Sequence, residues 1–164
     1  MAERSPPKPS AKARRSAARL AAVQALYQIG QTGIDPEAAL GEFLQHRIGV
    51  ELDGESYVAP DPLLFAEIVR GVTARRADID PLVAGALAPP WDPARLELLL
   101  RAIVAGGAWE LLGNAAVPAR IVISEYVNLA HAFFAGREPA MVNAVLDRIA
   151  HRVRPEEMAA PAGM

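Results

Sequence analysis

Apolar residues along this chain recur at steps of three and four, the spacing that puts them on one stripe of an α-helix. Leu20, Val23, Leu26, Tyr27 and Ile29 form a first row, and Leu64, Phe65, Ile68, Val69 and Val72 a second. Leu96, Leu99, Leu100, Ile103 and Val104 form a third, continued by Leu111. Val122, Tyr126, Leu129 and Phe133, flanked by Ile123, Val127, Ala130 and Phe134, make a fourth. Met141, Val142, Val145, Leu146 and Ile149 close the set. The β-branched alternation that strands need is scarce, so the fold class is all-α. Windows 96–112 and 121–134 are apolar over more than half their circumference, which predicts the two central helices of a bundle.

Proline sets the boundaries. The proline-free windows are 10–35, 37–59, 63–80, 94–117, 119–138 and 140–154. Four prolines follow aspartate: Asp35-Pro36, Asp61-Pro62, Asp80-Pro81 and Asp92-Pro93. An aspartate accepts the free N–H groups of a helix's first turn, and proline suits the next position because its missing N–H would be unpaired there anyway. Each pair therefore predicts a helix start. Ala105-Gly106-Gly107-Ala108 lies inside one window, where two glycines cost about 2 kcal/mol relative to alanine. Either a neighbouring helix approaches closely there or the helix breaks. Residues 48–60 read as a loop. Segments 1–10, a basic tail, and 155–164 lack periodicity and are expected to be disordered. A single helical domain over 11–154 remains.

Composition narrows the chemistry. At 164 residues, 52% hydrophobic and 22% charged, the chain has material for one globular core, packed by aliphatic side chains since aromatics are only 5%. The absence of cysteine excludes disulfides, thiolate metal sites and thiol nucleophiles. No run approaches 18 apolar residues, and the N-terminus lacks the apolar segment of a secretory signal. The expected location is cytoplasmic; the arginine-rich, acid-poor start leaves an organellar transit peptide as the alternative.

No phosphate-binding glycine loop, zinc-protease motif or nucleophile elbow occurs. His46, His131 and His151 share no metal-ligand spacing. Ser124 and His131 would sit two helical turns apart, about 10 Å, too far for a nucleophile–base pair. Glu97, Glu110 and Glu125 lie at the edges of apolar rows, where carboxylates meet arginine or solvent. We expect no catalytic residue, no metal and no cofactor: the sequence reads as a binding protein.

Charge suggests what it binds. The net charge is −2, yet residues 1–19 hold Arg4, Lys8, Lys12, Arg14, Arg15 and Arg19 against Glu3 alone. Cations at a helix N-terminus oppose the macrodipole. Their accumulation there is either a solvated helix start or a site for a polyanion, for which arginine's planar fork suits phosphate. A second feature is Arg137-Glu138-Pro139-Ala140-Met141-Val142-Asn143-Ala144-Val145-Leu146-Asp147-Arg148. Asn143 and Asp147 there are either a surface pair or a polar patch able to read base edges.

These segments resemble a known family. Arg14-Arg15 with Arg19-Leu20-Ala21-Ala22-Val23-Gln24-Ala25-Leu26-Tyr27 is similar to the first helix of the NusB family of bacterial transcription antitermination factors. Leu100-Arg101-Ala102-Ile103 with Trp109-Glu110-Leu111, then Val117-Pro118 with Val122-Ile123-Ser124-Glu125-Tyr126-Val127-Asn128-Leu129-Ala130, resembles its central signature. Met141-Val142-Asn143-Ala144-Val145-Leu146-Asp147-Arg148-Ile149-Ala150 resembles its closing helix, and the likeness covers about residues 11–154.

The resemblance implies an all-helical bundle of about seven helices in two packed helical subdomains, without enzyme activity. It implies binding of single-stranded boxA RNA from ribosomal RNA operons, as a heterodimer with the small-subunit ribosomal protein NusE. That complex would join NusA, NusG and RNA polymerase. Carried over by position, the RNA-contacting residues are Lys12, Arg14, Arg15 and Arg19, with a second surface at Arg137, Met141 and Asn143. Glu110 and Glu125 match acidic positions assigned to the partner-binding face. The family's Lys-Phe pair is Ala140-Met141 here, its Gly is Ala144, and Leu100 and Ala105 replace charged residues, which implies a missing ion pair. Alternatives are an RNA-binding domain associated with an rRNA methyltransferase, or a structural homodimer.

Overall fold

Helices begin where an oxygen-bearing side chain stands just before an apolar row. In the computed structural model, which describes residues 9–46 and 58–159, Ser10 opens α1 (Ala11–Thr32) by accepting the Ala13 N–H at 3.0 Å. Asp35 opens α2 (Pro36–His46), accepting the Glu37 N–H at 3.1 Å. Asp61 opens α3 (Pro62–Ala74), accepting from Leu63 and Leu64 at 3.0 and 3.3 Å. Gly33, at φ 73°, supplies the left-handed turn that ends α1. There follow α4 (Arg76–Ala86), a 3₁₀ turn (Pro93–Arg95), α5 (Leu98–Gly113), α6 (Ala119–Phe133), α7 (Glu138–Val153) and α8 (Pro155–Ala159). Among the described residues there are eight α-helices and no strand.

Two of the four Asp-Pro pairs act otherwise than expected. Pro81 lies inside α4, which starts at Arg76. Ile79, Val83 and Ala86 form the buried row, and a helix opening at Pro81 would lose Ile79 from it. So close to the helix start, proline's missing N–H leaves only the Ala77 carbonyl without its intrahelical bond. Asp92 does cap, accepting the Ala94 N–H at 2.9 Å, but it opens only the 3₁₀ turn. The chain extends at Leu96, which drops into the core, before α5 begins.

The expected loop 48–60 lies mostly outside the described residues, as do 1–8 and 160–164; Val58–Pro60 are non-helical. Residues 155–159 are helical rather than irregular, for a reason visible in their contacts. Pro118, ahead of α6, offers no side-chain cap, and the Glu157 carboxylate supplies one by accepting the Ala119 N–H at 2.7 Å. Arg154 closes α5 in the opposite sense. Its guanidinium donates to the carbonyls of Glu110, Leu111, Asn114 and Val117 at 2.7–2.9 Å, satisfying groups a helix end leaves open.

Of the two windows expected at the centre, only α5 is central: ten of its residues are buried, and both α1 with α3 and α6 with α7 pack on it. α6 is peripheral, with Ile121 and Phe133 exposed. The α5 glycines are where neighbours come closest. A Cβ on Gly106 would stand 2.9 Å from the Tyr126 ring, and one on Gly107 2.7 Å from a Leu146 methyl, while the helix runs on unbroken. Close approach, not a break, explains the pair. Gly71 on α3 does the same for Trp109, whose indole occupies the space a Cβ would take. α1–α3 pack on one another and α4–α7 do likewise, with α5 joining the two groups around one apolar cluster from Ala18 to Ala150.

Candidate nucleic-acid interface

The basic run of α1 divides along its length. Lys12, Arg14 and Arg15 are exposed, and among the described residues none of their side chains has an ion pair or hydrogen bond. No acid stands in the first turn of α1 to offset them. The positive pole of the helix and three uncommitted cations thus coincide, an arrangement that favours an anion.

Arg19 belongs to the same run and borders the same cleft, but it is buried. Its side chain is 2% exposed and faces the Glu110 carboxylate, which is 0% exposed. Nε and Nη2 donate to the two Glu110 oxygens at 2.8 and 2.9 Å, a bidentate fork. The Tyr126 hydroxyl donates to the same carboxylate at 2.6 Å. Glu125 stands 4.0 Å from Nη1 of Arg19 and accepts from the Ser16 hydroxyl at about 2.9 Å. Burial, then the charge and hydrogen bond of Glu110, push the Tyr126 phenol well above its usual range. Burial pulls the Arg19 guanidinium down, but the Glu110 hydrogen bond and charge outweigh it and raise its pKa. The network ties α1 to α5 and α6.

The structure places several of the residues selected from the sequence away from an open surface. Arg19 commits Nε and Nη2 to Glu110 inside the fold, which makes it a positioning residue under the basic turn. Glu110 presents no surface to a partner, and the Glu125 side chain is only 15% exposed beside Ser16. Met141 is 5% exposed and packs in the core, so it offers no face to a base. Leu100 and Ala105 are buried apolar core; separately, Arg19 and Glu110 form a buried ion pair. Arg137, at the N-cap of α7, and Asn143 are exposed, but Asn143 lies in a groove whose lining does not include Arg137.

Two concave surfaces flank α6. On one side, a cleft of about 570 Å³ is lined by Lys12, Arg15, Leu63, Val117, Ile121 and Glu125 among others; Leu63 is 69% exposed. On the other lies a groove between α6 and α7. Its α6 wall carries Arg120, Ser124 and Asn128, three residues that sequence reasoning did not select. Their spacing of four was the available signal. No group of three metal-ligating side chains exists among the described residues, and no described helix is long and apolar enough to cross a membrane.

Comparison with known proteins agrees with this architecture. The sequence model of the NusB family matches residues 16–151. A transcription antitermination protein NusB from Agrobacterium fabrum is 47% identical over 153 residues, covering 92% of this chain and 93% of that protein. One from Sinorhizobium fredii is 50% identical over 144 residues, covering 87% and 89%. Among solved structures, T. maritima NusB superposes with a TM-score of 0.73 at 26% identity, covering 94% of this chain and all of that one. Family match, similar relatives and superposed fold thus converge: the chain belongs to the NusB family of transcription antitermination factors, which are not enzymes.

Proposed function

We propose that this protein binds single-stranded, boxA-like RNA of ribosomal RNA operon transcripts together with the ribosomal protein NusE. The pair acts in the cytoplasm, within an RNA polymerase elongation complex containing NusA and NusG. The observation that carries the reading is the exposed trio Lys12, Arg14 and Arg15 at the positive end of α1, none of them in an ion pair among the described residues. Family membership supplies the antitermination setting. The anion expected at the trio is a phosphate backbone, since three separate cations along one helical turn match a chain of charges better than a single ion.

The test is a titration of a boxA-like RNA and a scrambled one, each with and without the ribosomal protein, over a range of salt. Single-strand binding slopes run near −0.7 per neutralised phosphate, so three cations predict a slope of about −2. Replacing Lys12, Arg14 and Arg15 with alanine should flatten it at unchanged helical content. RNA affinity equal to wild type in that variant would refute the reading. Sedimentation with and without the ribosomal protein separates a heterodimer from a homodimer of the free chain.

A further inference from the structure

We propose that Arg154 is the positioning residue for the wall of the α1 cleft formed by residues 114–118, and that through it the C-terminal segment sets how wide that cleft stands. This role rests on the RNA-binding reading above and is exercised from behind the site: Arg154 is not among the residues lining the cleft. Its side chain is 10% exposed, and all five of its guanidinium N–H groups are committed. Nε donates to the Leu111 carbonyl at 2.8 Å. Nη1 donates to the Val117 carbonyl at 2.7 Å and to the Glu157 carboxylate at 3.2 Å. Nη2 donates to the carbonyls of Glu110 and Asn114 at 2.9 and 2.8 Å.

What marks this arginine is where its acceptors lie. Asn114 and Val117 give it their carbonyls and also line the cleft that holds Lys12 and Arg15. Between α5 and α6 the backbone has few bonds of its own: the Asn114 N–H donates to Glu110 and the Val117 N–H to Asn114, while Ala115 and Ala116 are exposed. The shape of this wall therefore depends on a side chain 37–44 positions further along the chain. Glu157 extends the hold by one step. It accepts from Arg154 and from the Ala119 N–H at 2.7 Å, which fixes the first turn of α6 and with it Ile121, a lining residue that is 49% exposed.

The carbonyls at the end of α5 form the negative pole of that helix, so a guanidinium packed there is matched in charge as well as in hydrogen bonds. The planar fork is what lets one side chain reach four carbonyls; a lysine ammonium is a point charge with three donors and cannot bridge them. The hold is steric. It sets the distance between the wall and α1, adds no cation to the cleft, and applies whatever the balance there between Lys12 and Arg15 and the carboxylates of Asp61, Glu67 and Glu125. A strand entering a cleft already held at its bound width loses less to the ordering of its site.

The chain has no cysteine, so a nitroxide pair placed by Ala11→Cys and Ala115→Cys, both exposed positions, reads the distance across the cleft directly. The full chain is compared with Arg154→Lys and Glu157→Gln at a temperature where circular dichroism shows each variant folded. In Arg154→Lys, which keeps the charge and loses the fork, the distance distribution should broaden. Dissociation of the boxA-like RNA in stopped flow should speed up about tenfold, at the wild-type salt slope. Glu157→Gln leaves the carbonyl bonds of Arg154 in place and should raise the rate about two- to threefold; it decides the matter if the lysine variant does not fold. Distances and dissociation rates equal to wild type in the folded variants would overturn the inference, since Arg154 would then serve the fold alone. A flatter salt slope in Arg154→Lys would also overturn it, because a lost phosphate contact and not the cleft's width would explain the weaker binding. A wild-type chain that binds no RNA would overturn the RNA-binding reading, and the nitroxide distances would still show whether Arg154 sets the width.

Discussion

Replacing Glu110 with glutamine tests whether the Arg19 cluster holds the basic helix in place. Arg19 and Glu110 are 2% and 0% exposed, so removing the carboxylate's charge strands a guanidinium in the core. Breaking such a pair from one side costs about 3–5 kcal/mol. Glu125, 4.0 Å away and already accepting from Ser16, offsets only part of that. Against a domain stability of about 5–15 kcal/mol, the loss is severe. In a chain of this size each kcal/mol lowers the melting temperature by about 2–4 °C, so Glu110→Gln should melt roughly 10 °C below wild type. Arg19→Met/Glu110→Leu/Tyr126→Phe should recover most of that loss, because it removes both charges and the phenol that would otherwise be left unpaired. The assay is urea and thermal unfolding followed by circular dichroism, beside RNA binding over salt. The triple variant should keep the wild-type salt slope. A slope flatter by about 0.7 at unchanged stability would show that Arg19 meets phosphate, and the positioning argument would fail.

Other consequences follow from the same contacts. Tyr126 has a raised pKa in the fold, so the native state holds a proton that the unfolded chain releases above pH ~10. Its contribution is complete below that pH and is lost as pH climbs toward the native value; Tyr126→Phe should therefore flatten the alkaline limb of a stability–pH curve. Gly71→Ala forces a methyl into the Trp109 indole and should cost about 1–3 kcal/mol in urea unfolding, whereas Gly41→Ala, with nothing within 4 Å, should stabilise α2 by up to about 1 kcal/mol. Glu157→Gln weakens the cap on α6 and should cost about 0.5–2 kcal/mol, with amide exchange accelerating first at Ala119.

Much of the fold was legible because its signals are local. Asp35 and Asp61 are caps that act within three residues, and each opened its helix as read; Ser10 does the same for α1. The failures are places where a distant group took over. Asp80-Pro81 obeys the cap rule, but burial of Ile79 extends the helix back through it. The segment after Arg154 lacks periodicity, and what orders it is a backbone N–H 38 residues away. The site shows the same division. Exposure of Lys12, Arg14 and Arg15 follows from composition, whereas the fate of Arg19 depended on a carboxylate 91 positions along the chain.

Helix phase does not separate Arg19 from Arg15. The two are four residues apart, hence neighbours on one face, and both line the same cleft with Lys12. What differs is where the bundle begins to cover α1. The Ser16 hydroxyl meets Glu125 of α6; N-terminal to it α1 is held at its edge, where the Arg14 carbonyl accepts the Asp61 N–H at 3.0 Å, and beyond it α5 and α6 close over the face. One row of cations therefore runs from water into the core, its inner member neutralised and its outer members free. The inner pair has a consequence for the outer ones. Arg19 draws α1 onto α5 and α6, so Lys12 and Arg15 are presented from a fixed helix at a fixed edge of the cleft, and a strand bound there loses less to the ordering of its own site. Weakening the inner cluster without unfolding the chain should then raise the RNA dissociation rate while leaving the salt slope as it was. Tyr126→Phe, which removes a single hydrogen bond to Glu110, is the variant in which stopped-flow kinetics would show it. An unchanged dissociation rate would mean that the outer cations act independently of the charge buried beneath them.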